Sequence, residues 1–170
     1  MRILPLFLIL LSLNTKAQIT KCSCEGFIDL NYKGNIILYA KPHGKIIQSL
    51  QQHLKEEDNL MFNIEKMSGN FFYVRIIYAI NGTEYSGWIA KESYLQTYVR
   101  AYSASIAVLS SPNPQSRSKM ILKPATTHCF TIIGCKGNFL KIRWLKNKFK
   151  TFEGWIKRED QCANPYTTCS

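Results

Sequence analysis

The chain has 170 residues, 46% of them hydrophobic, and 22 Lys and Arg against 11 Asp and Glu give a formal charge of +11. That length allows one ordinary domain or two small ones, and the apolar fraction excludes wholesale disorder. A basic surface favours acidic partners, such as nucleic acid, anionic lipid headgroups or acidic envelope polymers.

The chain opens with Arg2, an almost entirely apolar run from Ile3 to Leu13, and Thr15-Lys16-Ala17 as a small-x-small exit. This order predicts a secretory signal peptide over residues 1–17, cleaved after Ala17. The apolar run is far shorter than the roughly 20 residues a membrane-spanning helix needs. Lys21, rather than a small residue, precedes the first cysteine, which argues against a lipoprotein site. Loss of Arg2 and Lys16 leaves a charge of +9. Export to a periplasmic or extracellular location sets nucleic acid aside as a partner.

Beyond the leader, Ile36–Tyr39 is an apolar run ended by a loop with Pro42, which predicts a strand. Gln48–Asn59 reads as either a short helix or an elaborated loop. Phe71–Ile77 is dominated by β-branched and aromatic residues, as strands prefer. Asn81-Gly82 predicts a hairpin between Tyr73–Ile80 and Thr83–Ile89. Ile106–Leu109 is a second apolar run before a Pro-containing loop. In Phe139–Trp144, Leu140, Ile142 and Trp144 alternate with Phe139, Lys141 and Arg143, mostly with period two. The next loop, Lys146-Asn147-Lys148, is charged.

These elements form two copies of one pattern. Gly69-Asn70-Phe71-Phe72-Tyr73-Val74-Arg75-Ile76 is echoed by Gly137-Asn138-Phe139-Leu140-Lys141-Ile142-Arg143-Trp144. Gly87-Trp88-Ile89-Ala90-Lys91-Glu92 is echoed by Gly154-Trp155-Ile156-Lys157-Arg158-Glu159, and Leu38–Pro42 more loosely by Val108–Pro112. The order is preserved and the offsets are 68, 67 and 70 residues, as an internal repeat requires. The sequence therefore predicts an all-β protein with one domain over 18–98 and a second, with a Cys-rich tail, over 99–170. Domains this small bury little surface and gain from packing together or from disulfides.

Six cysteines follow the leader: Cys22, Cys24, Cys129, Cys135, Cys162 and Cys169. In an exported protein an even number suggests disulfides, with 15 possible pairings. All six are disulfide candidates, and they place any staples on the second half and the N-terminal arm. Cys129 and Cys135 on one strand would lie about 20 Å apart, too far to bridge. Cys162 and Cys169 flank the Asn164-Pro165 turn and form the best single pair.

With the strand, loop and Gly-Trp-Ile pattern in place, the chain resembles bacterial SH3 (SH3b) domains, in two tandem copies. Leu38–Pro42, Gly69–Ile76 and Gly87–Ile89 fit that family's pattern, as do Val108–Pro112, Gly137–Arg143 and Gly154–Ile156. The resemblance covers residues 27–161 and implies two small SH3-like β-barrels. It also implies a targeting module that binds wall peptides or proline-containing segments. The tail Gln161–Ser170 lies outside the pattern.

No nucleophile, base and orienting group emerge together, so the chain reads as non-enzymatic. His43 sits in a Pro-His-Gly-Lys loop, His53 in a polar stretch, and His128 beside Cys129, whose side chain an extended strand would turn to the opposite face. Cys22-Ser23-Cys24 and His128-Cys129 lack paired metal-ligand spacing, and no metal or other cofactor is expected. An SH3-like groove needs exposed aromatic rings. Tyr39, Tyr73, Tyr78 and Tyr85 are candidates for it in the first copy, or else half-buried strand residues. Trp88 and Trp155 are amphipathic candidates whose matched positions also suit barrel packing. Arg75 and Arg143 are candidates to pair with Glu92 and Glu159. The expected function is an exported, non-catalytic binding module for a cell-wall peptide or acidic envelope polymer. The alternative is a protein-interaction module acting on an envelope protein as inhibitor, adaptor or assembly subunit.

Overall fold

A computed structural model describes residues 18–100, 104–124, 128–147 and 150–166. The expected signal peptide lies outside them. The described chain is all-β: β1 Ile19–Ile28, β2 Ile36–Tyr39, β3 Ile46–Leu50, β4 Leu60–Ser68, β5 Phe71–Tyr78, β6 Glu84–Ala90 and β7 Leu95–Val99 make up the first part. β8 Ile106–Leu109, β9 Ser118–Leu122, β10 Phe130–Lys136, β11 Phe139–Asn147, β12 Lys150–Lys157 and β13 Gln161–Cys162 follow. The helix considered for Gln48–Asn59 is instead the end of β3 and one 3-10 turn, Leu54–Glu56. Glu57 stops that turn in the left-handed region, and the amide of His53 donates to the Asp58 carbonyl across its base.

The strands form one antiparallel hydrogen-bonded path in the order β3-β2-β6-β5-β4-β1-β7-β10-β11-β12-β8-β9, with β13 on β7. The repeat is visible in the pairing. β2–β3 and β8–β9 are equivalent hairpins, and β4–β5–β6 and β10–β11–β12 are equivalent meanders. Each hairpin meets its meander at one matched register pair, Tyr39 with Trp88 and Leu109 with Trp155. Gly69 and Gly137 turn their hairpins at φ +53° and +55°, where an L side chain is strained.

The glycine before each tryptophan has a steric cause. A Cβ on Gly87 would lie 3.0 Å from Leu38 Cβ and 3.3 Å from the Tyr39 carbonyl oxygen. On Gly154 it would clash with Val108 Cγ1 and lie 3.0 Å from the Leu109 carbonyl oxygen. Both substitutions to alanine should destabilise. Gly154→Ala is expected to lose about 2 kcal/mol and Gly87→Ala about 1 kcal/mol, within the overpacking range. Urea unfolding checks this, and equal or negligible losses would count against the packing described.

The halves meet through β7. It follows the first meander, pairs with β1, and also pairs with β10, just as β1 pairs with β4. β13 then pairs with β7 as β7 pairs with β1. One strand thus links the two sets of strands into a single sheet, and the boundary expected between residues 98 and 99 lies within it. A single buried cluster runs through both halves, from Ile28, Leu60, Phe62 and Phe72 to Phe130, Ile132, Leu140 and Ile156. Period two sets it up: Phe72, Val74, Ile76 and Tyr78 point inward from β5. Each large apolar side chain buried this way stabilises by about 1.5–3 kcal/mol.

Three expectations are corrected. Arg75 pairs with Glu65 and Glu84 at 4.0 and 3.8 Å, not with Glu92, and Arg143 pairs with Glu153 at 2.8 Å, not with Glu159. Cross-strand neighbours win: Arg143 and Glu153 are register partners, whereas Glu92 and Glu159 lie in turns beyond the strand ends. Cys24 and Cys129 are free thiols, Cys24 buried against the Gly137 carbonyl oxygen and Cys129 exposed. Cys22 bridges to Cys135, joining β1 to β10. Cys162 is engaged in a disulfide, and Cys169 lies outside the described residues.

Candidate binding groove

A groove of about 410 Å³ opens on the first half, lined by Tyr32, Asn35, Ile37, Tyr39, Ala90, Glu92, Ser93 and Tyr94. Alternation along β2 sends Ile36 and Leu38 into the core and leaves Ile37 and Tyr39 at the groove. Tyr32 comes from the loop between β1 and β2, and Tyr94 from the turn between β6 and β7. Their rings stack with centroids 4.2 Å apart.

Asp29 holds these two loops together. Its amide donates to the Tyr94 carbonyl oxygen at 2.8 Å, and its own carbonyl accepts from the Tyr32 amide at 2.9 Å. Its carboxylate accepts from the Asn31 amide and side chain and from Gln96 Nε2. Gln52 Nε2 reaches the Asp29 and Tyr32 carbonyls from the far side. Burial pushes the Tyr94 phenol well above its usual range, with Tyr32 and Glu92 adding to the shift. Tyr94 therefore stays neutral at physiological pH. The groove offers aromatic faces, phenol hydroxyls, one amide and one carboxylate, a set suited to an extended peptide.

Of the expected ligand residues, Tyr39 lines this groove. Tyr73 and Trp88 share its side of the sheet but pack on each other edge to face, with Trp88 only 8% exposed and Lys66 over the Tyr73 ring. Tyr78 and Tyr85 are on the opposite face of β5 and β6 and meet edge to face. The Tyr78 hydroxyl donates to the Gln51 carbonyl at 2.7 Å, and His53 stacks on its ring. Trp155 is half-buried in the second half beside Leu109.

Tyr32 and Tyr94 were not singled out from sequence. The repeat held a signal for Tyr94. Aligning Lys91-Glu92-Ser93 with Arg158-Glu159-Asp160 sets Tyr94 against Gln161, and aligning Leu38–Pro42 with Val108–Pro112 sets Tyr39 against Leu109. Gln161 is fully buried and accepts from the Glu25 amide at 2.9 Å. The aromatic character thus belongs to the first copy at both positions.

The histidines stand apart from one another. His43 packs on Phe71, His53 on Tyr78, and His128 on Trp144. Among the described residues no group of three or more His, Cys, Asp and Glu is placed to hold a metal ion. A second cleft, of about 300 Å³, lies between the halves and is lined by Asn70, Lys91–Ser93, Thr131–Ile133 and Arg143. No protein-family model matches the sequence, and no curated protein matches it.

Proposed function

We propose that the chain is an exported, non-catalytic binding protein built of two SH3-like repeats, and that its first repeat holds an extended cell-wall peptide in the tyrosine groove. One observation carries this reading. Tyr32, Tyr39 and Tyr94, from three separate elements, converge on an open groove whose loops are fixed by Asp29. Its volume is within the about 300–1,000 Å³ usual for ligand sites. The matched hairpins, meanders and Gly-Trp pairs support the repeat. The Cys22–Cys135 bridge and the leader-like start support export. No helix among the described residues is long and apolar enough to cross a membrane.

The test is retention of residues 18–170 on purified peptidoglycan at low salt. Tyr39→Ala and Tyr32→Ala are each expected to weaken retention about tenfold, equivalent to about 1.4 kcal/mol. Tyr85→Phe, on the opposite face, should leave it unchanged. Absence of retention by the wild-type protein would remove the reading. Capture of one stoichiometric envelope protein in its place would favour the interaction module.

A further inference from the structure

The Glu92–Ser93 turn is the common wall of two cavities. On one side is the tyrosine groove, and on the other the cleft between the halves. A ligand lying on the tyrosines and extending past this turn enters a space lined by both halves. Asn70 and Lys91 come from the first, and Thr131 and Arg143 from the second.

The charges in that space are unequal. Lys141 and Arg143 share one carboxylate, Glu153, at 3.0 and 2.8 Å. Lys91 is half-buried with its ammonium over the Phe72 ring, 5.1 Å from the centroid. None of the ion pairs among the described residues includes it. Burial and nearby Lys141 both push its pKa down, as expected for a cation without a counter-charge. Glu92 is the one carboxylate among the residues that line the cleft, against the two cations Lys91 and Arg143. A desolvated, unpaired ammonium is unfavourable until an anion joins it. Thr131, Ser93 and Asn70 supply neutral hydrogen-bonding groups beside it.

We infer that this cleft is a carboxylate site, and that the preferred ligand is an acidic peptide spanning both halves. Its body lies on Tyr32, Tyr39 and Tyr94, and a carboxylate just beyond it is held by Lys91. The inference rests on the peptide-groove reading and adds the chemistry of the ligand's far end. Arg143 is already engaged by Glu153 and shapes the cleft without holding the ligand.

The experiment is calorimetric titration of residues 18–170 with a synthetic wall-type tetrapeptide, once with a free C-terminal carboxylate and once as its C-terminal carboxamide. The free acid is expected to bind at least tenfold more tightly. Lys91→Met should abolish the difference while leaving carboxamide binding intact, and Tyr39→Ala should weaken both forms alike. Lys91→Met should also unfold at the same or a higher temperature, because an uncompensated charge is gone. Wild-type protein that binds neither peptide overturns the groove reading together with the carboxylate site. Wild-type protein that binds both equally overturns the carboxylate site alone, as does a preference that survives in Lys91→Met. Full displacement of the free-acid peptide by a polyuronate lacking any peptide overturns it in favour of a polymer.

Discussion

Replacing Cys22 and Cys135 together by serine is expected to lower the unfolding free energy by about 4–5 kcal/mol. The bond joins residues 113 apart in sequence, and closing a loop of that order removes about 4.7 kcal/mol of unfolded-chain entropy. For a chain of this size each kcal/mol shifts the midpoint by about 2–4 °C, so calorimetry should record a fall of about 10 °C or more. The local geometry says where the loss begins. β1 breaks register between Lys21 and Cys24, and there its backbone turns to the β10–β11 hairpin. The Ser23 amide donates to the Gly137 carbonyl at 2.8 Å, and the Gly137 amide donates to the Lys21 carbonyl at 2.9 Å. Hydrogen exchange at Ser23 and Gly137 should accelerate first. Cys24, close by, does not substitute for the lost sulfur: burial pushes its thiol up to about 11, leaving almost no thiolate at neutral pH. A midpoint that moves by less than about 2 °C would contradict the loop-closure argument.

Gly26→Ala should be nearly as damaging, at about 3 kcal/mol, the upper part of the overpacking range. A Cβ there would sit 2.5 Å from Ile132 Cδ1, 2.7 Å from the Gln96 carbonyl oxygen and 2.8 Å from Phe62 Cζ. The carbonyl decides the magnitude. Side chains can rotate away, but Gln96 belongs to β7, which is pinned between β1 and β10. Relief requires moving the strand on which the two halves meet. Gly69→Ala is the control. Its φ of +53° is strained for alanine, but nothing lies within 4 Å of the added carbon, so about 1 kcal/mol is expected. Denaturant titration separates the two cases, and equal losses would mean that the joint yields easily.

The strands at Ile36–Tyr39 and Ile106–Leu109 were legible because apolar runs end at proline loops. β11 was legible because Leu140, Ile142 and Trp144 alternate, mostly with period two, with Lys141 and Arg143. β1 was not, since its bulge breaks period two within ITKCSCEGFI. β4 was also missed, although Leu60, Phe62 and Ile64 alternate into the core. Parity could have sorted the tyrosines. Counting by twos from Phe72 puts Tyr78 inside with Val74 and Ile76, while Tyr73 falls with Arg75 on the other face. The groove itself was beyond sequence reading. Tyr32 and Tyr94 stack only because Asp29 ties their loops together, a contact between segments far apart in the chain.

The double role of β7 bears on any attempt to take the molecule apart. A cut on either side of Leu95–Val99 gives that segment to one fragment and strips the other of a neighbour for β1 or for β10. The smallest self-sufficient pieces must therefore overlap, each carrying its own copy of those five residues.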